Sequence, residues 1–131
     1  MTPNYTSNSF LSEAQSLVLD NIANEQFGVS ELAIKMNMSR SSLLRKIKKQ
    51  TSLSASQFIR EIRLQKAAEF LEETELTASQ IAFEVGFNNP SYFTKCYREY
   101  YGYPPGETKT KKEEEIVQNE RLLEFWSISE I

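Results

Sequence analysis

Residues 30–38, SELAIKMNM, match residues 79–87, SQIAFEVGF, at a constant offset of 49. Leu32 pairs with Ile81, Ala33 with Ala82, Met36 with Val85 and Met38 with Phe87. Asn37 falls opposite Gly86, and these are the two residue types that best tolerate a left-handed turn. One residue is then inserted and the match resumes at an offset of 50: Ser39 with Asn89, Leu43 with Phe93, Arg45 with Lys95, Ile47 with Tyr97 and Lys48 with Arg98. A duplicated unit of this kind leaves few folds open. Each copy is a short apolar helix, a tight turn and a second helix with one apolar and one basic side, the outline of a helix-turn-helix. One copy alone is weak evidence for function, because two helices joined by a short turn are common in helical bundles. Two copies with basic residues at matching positions point to a nucleic-acid partner.

Helical periodicity extends around these copies. Phe10, Leu11, Ala14, Leu17, Val18 and Ile22 recur at i, i+3/i+4 spacing and predict a first amphipathic helix. Ser30 is placed to cap the first short helix and Ser39 the next. Ser54 with Gln57, and Thr77 with Gln80, form capping-box patterns. The first of these opens the longest helix, from Ala55 to Glu73, where Phe58, Ile59, Ile62, Ala67, Phe70 and Leu71 are read as one apolar stripe. Asn89 followed by Pro90 is a cap and a first helical residue, since proline's missing N–H would be unpaired there anyway. No segment shows sustained period-2 alternation, so the expected fold class is all-α. At ~1.5 Å per residue the long helix measures about 28 Å, against about 34 Å for one turn of B-DNA. A rod of that length can hold two recognition helices in successive major grooves. Its two unlike halves would then read a non-palindromic site.

Composition excludes several alternatives. The 131-residue chain has no histidine and a single cysteine, Cys96. Histidine-containing zinc sites and serine–histidine or cysteine–histidine pairs are therefore ruled out. With four glycines and no Gly-rich loop there is no phosphate cradle of that kind. No catalytic residue, metal or cofactor is expected, and Cys96 is read as a buried small hydrophobe in a reducing, cytoplasmic setting. No membrane span or signal peptide is apparent. The net charge of −3 conceals its distribution: acid concentrates at the two ends, while residues 28–103 carry an excess of lysine and arginine. For a polyanionic partner the local face matters more than the total.

FGVSELAIKMNMSRSSLLRKIKKQTSLSASQFIREIRLQKAAEFL, followed by TASQIAFEVGFNNPSYFTKCYREYYGYPP, resembles the DNA-binding domain of AraC/XylS-family transcription regulators. The resemblance covers roughly residues 10–105, and IAFEVGF, SYFTKCYREYYGYPP and RLQKAAEFL are its most specific parts. SRSSLLRKIK before SASQFIREIRL is especially similar to domains at the C-terminal end of two-component regulators. The resemblance implies a seven-helix domain (residues 9–106) with helix-turn-helix units at about 29–51 and 77–101. It implies double-stranded DNA at a promoter as partner, gene activation, and RNA polymerase as a further contact. It also implies a sensor, receiver or dimerisation domain upstream, absent from this chain.

Residue by residue, the family's base-reading positions fall on Arg40, Ser41, Leu44 and Arg45 in the first unit, and on Asn88, Ser91, Tyr92 and Lys95 in the second. Arg45 is the leading reader, since a guanidinium can grip guanine O6 and N7 together. Leu44 would meet a thymine methyl or belong to the core. Lys48, Lys49 and Arg98 are assigned to phosphates. So are Ser39, Thr77 and Asn89, as caps leaving outward N–H groups in the first helical turn. Phe93, Tyr97 and Tyr100 are read as core. Arg60 and Arg63 could meet phosphates or bridge to Glu69, Glu84 or Glu99, and Arg63 is read as structural.

The chain departs from the family at Ser52, where glycine is common, and at PPGETK, where an aromatic–basic pair is usual. Residues 1–8 are read as a tail. Residues 107–114 are expected to be weakly ordered or disordered, with a helix over 115–127 carrying Ile116, Leu123 and Trp126. The rival function is a helical protein-interaction module using the tyrosine-rich face of the second unit.

Overall fold

The computed structural model describes residues 8–129, with side chains through 123; the N-terminal tail before Asn8 and the Trp126 side chain lie outside the described residues. Seven α-helices follow in order: α1 (Ser9–Asp20), α2 (Val29–Lys35), α3 (Arg40–Thr51), α4 (Ala55–Glu73), α5 (Ala78–Glu84), α6 (Pro90–Tyr101) and α7 (Thr108–Ser129), with a 3-10 turn at Pro105–Glu107. There is no strand among the described residues.

Local chemistry starts these helices. Ser39 Oγ accepts from the Ser42 N–H, and Asn89 Oδ1 accepts from the N–H groups of Ser91 and Tyr92. Both capping boxes close, Ser54 with Gln57 and Thr77 with Gln80. Asn37 and Gly86 both adopt positive φ, 55° and 88°, in the turns of the two units. The equivalence continues beyond the matched segments: α3 ends on Ser52 at φ 65° and α6 on Gly102 at φ 85°, again 50 residues apart. Ser30 does not cap. Helix α2 starts two residues earlier than a Ser30 cap would place it, at buried Val29 after Gly28, and the Ser30 hydroxyl accepts from Arg40 instead.

Helix α4 carries two apolar faces where a single stripe was expected. Ala55, Phe58, Ile59 and Ile62 belong to one core with Leu11, Val18, Leu32, Leu43 and Ile47. Leu64, Ala67 and Leu71 belong to another with Ile81, Val85, Phe93 and Tyr97. At about 100° per residue these two sets point roughly 160° apart around the helix. The units thus hang from opposite faces of one rod, which is why α4 lacks the polar side of an ordinary surface helix.

Residues 108–114 are helical, contrary to the expected weak order. The Thr108 side chain is buried, with its Oγ1 2.6 Å from the Tyr97 hydroxyl, and Lys109 pairs with Glu75 at 2.8 Å. With its start anchored, the charge run propagates the helix and offers i,i+3 partners such as Lys111 and Glu114.

Candidate nucleic-acid interface

Helix α3 carries Arg40, Arg45, Lys46, Lys48 and Lys49 and no acidic residue. Leu43 and Ile47 anchor it in the first core, and all five cations are exposed. Arg40 donates to Ser30 Oγ at 2.9 Å and Arg45 to Ser42 Oγ at 3.4 Å, contacts that orient a guanidinium without neutralising it. Lys48 donates to the Ser52 carbonyl at 3.1 Å, closing the helix's C-terminal end. Ser41 is exposed, whereas Leu44 is half-buried against the first core. Lys46, not singled out in the sequence, sits 4.5 Å over the Phe10 ring.

Helix α6 is less basic, with Lys95 and Arg98 exposed and Glu99 beside them. Phe93 and Tyr97 are fully buried and Cys96 is buried, so Ser91, Lys95 and Arg98 occupy the opposite side. Asn88 is exposed in the turn. The first turn of α6 does not offer the outward N–H groups expected at Asn89. Pro90 has none, Asn89 Oδ1 takes those of Ser91 and Tyr92, and the Asn89 carbonyl takes that of Phe93. In α3 and α5, Ser39 and Thr77 each bond only the third-residue N–H with the side chain. A hydroxyl supplies one oxygen at one reach, whereas the asparagine carbonyl spans two donors.

Between the units lies a cleft of about 260 Å³ lined by Ser56, Arg60, Arg63, Gly86, Asn88 and Tyr92 among others. Tyr92 is 47% exposed; its ring leans on Phe87 and its hydroxyl lies 3.5 Å from Arg60 Nη1. Arg60 has no carboxylate within ion-pair distance among the described residues, so this half-buried cation faces the cleft. The neighbouring Glu61 carboxyl is pushed up by burial, with Arg60 pulling it back.

Arg63 is structural, with backbone carbonyls as partners in place of the expected glutamates. Its Nη1 donates to Ile22 and Val85, and its Nη2 donates to Asn24 at 3.1 Å and Phe27 at 2.8 Å. Burial lowers its pKa from the ordinary arginine value. No sequence signal identifies such partners, because every residue has a carbonyl.

Tyr97, Tyr100, Tyr101 and Tyr103 form a packed cluster. Tyr97 and Tyr101 ring centroids are 4.6 Å apart, Tyr100 and Tyr101 4.8 Å, and Tyr103 folds back to 6.2 Å from Tyr97. The Tyr100 hydroxyl accepts from Gln65 at 2.8 Å. Burial pushes the Tyr97 hydroxyl up to about 12 and raises Tyr101 as well.

A family model described as a helix-turn-helix domain matches residues 32–111. A transcriptional regulator of Chromobacterium violaceum, described as containing an AraC-type DNA-binding domain, superposes with a TM-score of 0.73 at 30% identity, over 82% of this chain and 96% of that one. The chain belongs to the AraC-type helix-turn-helix family. Two-component relatives share the AraC-type fold. The C-terminal domain of the response regulator yesN from Fusobacterium nucleatum matches with a TM-score of 0.69 and 26% identity, covering 78% of this chain and 99% of that one. "Histidine kinase P4" of Formosa agariphila is 39% identical over 106 residues, 81% of this chain and 8% of that protein. The DNA-binding domain of AdpA, solved in complex with a target DNA, matches with a TM-score of 0.69 and 25% identity over 77% of this chain and 90% of that one. The AraC-type chain spans between 8% and 35% of the length of eight curated relatives it matches. No helix among the described residues is long and apolar enough to cross a membrane.

Proposed function

We propose that this AraC-type domain binds double-stranded DNA sequence-specifically as part of a transcription activator, with α3 and α6 entering successive major grooves. The observation that carries this is the duplicated unit itself: two recognition helices of like design, each anchored by apolar residues and each presenting exposed cations, on opposite faces of a 19-residue helix. The AdpA domain's complex with DNA supports the same use of the fold. Arg45 and Lys95, at equivalent positions, are the leading base readers, joined by Arg40, Ser41, Asn88 and Ser91. Lys48, Lys49 and Arg98 meet phosphates, and the unequal basicity of α3 and α6 makes the first unit the stronger anchor. RNA polymerase is a further partner under this reading, and the promoter site is non-palindromic because the halves differ.

A protein-binding role for the tyrosine-rich face has less to work with. Tyr97, Tyr100, Tyr101 and Tyr103 pack on one another and on the core, leaving Tyr92 as the one exposed ring of that stretch. Selection from a random-site duplex library tests the proposal and returns the site together. Binding is expected to weaken with salt at a log–log slope of about −4 to −8. Arg45→Ala should cost about 1–3 kcal/mol and relax preference at one base pair, whereas Lys49→Ala should weaken all duplexes alike. Absence of any salt-sensitive, sequence-selective duplex binding would overturn the proposal.

A further inference from the structure

We infer that Arg63 holds the two helix-turn-helix units at one separation and rotation, and thereby sets which spacing of half-sites the domain accepts. The consequence for DNA rests on the function proposed above; the mechanical role does not.

Arg63 stands where the two cores part. Ile62 belongs to the first and Leu64 to the second, and the Arg63 guanidinium emerges between them. Its four bonds to carbonyls use both terminal nitrogens. Three acceptors, Ile22, Asn24 and Phe27, lie in the segment entering the first unit, and the fourth, Val85, lies in the turn of the second. One side chain therefore joins both units to the rod that separates them. Ile22 reinforces the junction, since its side chain packs against both cores.

The geometry requires arginine. Four acceptors on two sides of the group match a planar fork, whereas lysine presents a single nitrogen with three donors. The buried carbonyls also need donors, because an unpaired buried carbonyl is costly. Space is reserved for this arrangement at Gly86, where a Cβ would overlap the Arg63 guanidinium and the Ile22 carbonyl. Elsewhere the helices of each unit pack mainly on α4 and on one another. Each unit is thus located by its own face of α4, and Arg63 is the cross-tie.

Spacing selectivity follows from that tie. One extra base pair between half-sites moves the second by about 3.4 Å along the duplex and roughly 34° around it. A rigid pair of units cannot follow that displacement, whereas a loosened pair can.

The test uses Arg63→Lys and Arg63→Met, with folding checked by circular dichroism and amide spectra. Each is bound to the selected site, to that site with one inserted base pair, and to the first half-site alone. Affinity for the intact site should fall about tenfold or more, while half-site affinity changes less than about threefold. The preference for native over inserted spacing should shrink towards one. An unchanged preference in both folded variants, or loss of folding in both, would overturn the inference. A measurement without DNA separates this from the functional proposal: nitroxides at Gln50→Cys on α3 and Glu99→Cys on α6, in a Cys96→Ala background. Their distance distribution should broaden when Arg63 is replaced, and an unchanged width would also overturn the inference. If the wild-type protein binds no duplex selectively, the DNA reading fails and the spin-label result decides the mechanical role alone.

Discussion

Gly86 and Gly102 provide a controlled comparison, because they share a backbone conformation and differ in surroundings. Their φ values are 88° and 85°, so replacing either by alanine imposes nearly the same left-handed penalty, about 1–2 kcal/mol. At Gly102 a Cβ meets nothing within 4 Å, and that penalty is the whole expected cost. At Gly86 the Cβ would occupy the place of the Arg63 guanidinium and press on the Ile22 carbonyl. Displacing the guanidinium weakens its bonds to Ile22 and Val85 and leaves the buried Val85 carbonyl and the partly buried Ile22 carbonyl short of donors. A charge-assisted hydrogen bond contributes about 1.5–3 kcal/mol and an unsatisfied buried group costs about 1–3 kcal/mol. These two descriptions of one event overlap, so the added cost is about 2–3 kcal/mol. Gly86→Ala should therefore destabilise by about 3–5 kcal/mol and Gly102→Ala by about 1–2 kcal/mol. Urea denaturation followed by circular dichroism measures both, with equal m-values licensing the comparison. Equal losses at the two sites would show that conformation alone governs Gly86, and the account of Arg63 as a tightly seated cross-tie would fail.

Ser52→Gly should stabilise the domain by about 0.5–1 kcal/mol, since φ 65° suits glycine and the serine is exposed; a midpoint at or below wild type would refute this. Alkaline pH should unfold the second unit. The Tyr97 and Tyr101 hydroxyls have folded pKa values above their ordinary one, so the stability they contribute is full below pH 10 and is lost above it, for Tyr97 as pH rises towards about 12. Tyrosinate absorbance should rise together with loss of helical signal over that interval, and complete ionisation near pH 10 with the helical signal intact would contradict the buried cluster.

Helix starts and turns are legible in this sequence because their causes lie within three or four residues. Ser39, Ser54, Thr77 and Asn89 meet the neighbouring N–H groups their types favour, and Asn37 and Gly86 take the left-handed conformations expected of them. Ser30 fails as a cap because α2 already begins at buried Val29, two residues earlier than that cap would place it. The α4 pattern misleads for a different reason: two apolar faces, each seen partially, merge into one stripe when only sequence spacing is considered. The charge run after Glu107 reads as a solvated tail until its anchor, Thr108 against Tyr97, is seen. For the interface, the exposed cations of α3 follow from helical phase once Leu43 and Ile47 are placed inside. The absence of outward N–H groups at the start of α6 depends on how far one amide oxygen reaches.

The duplication, the all-α class, the turn positions and the basic side of α3 are determined by the sequence, since each rests on residue type at short, countable spacing. The placement of the two units on opposite faces of α4, the half-burial of Leu44 against the first core, and the bonding of Arg63 belong to the tertiary structure. The core partners of α4 lie on other helices, and Arg63's bonds span 22 to 41 positions to backbone oxygens that no side-chain pattern encodes.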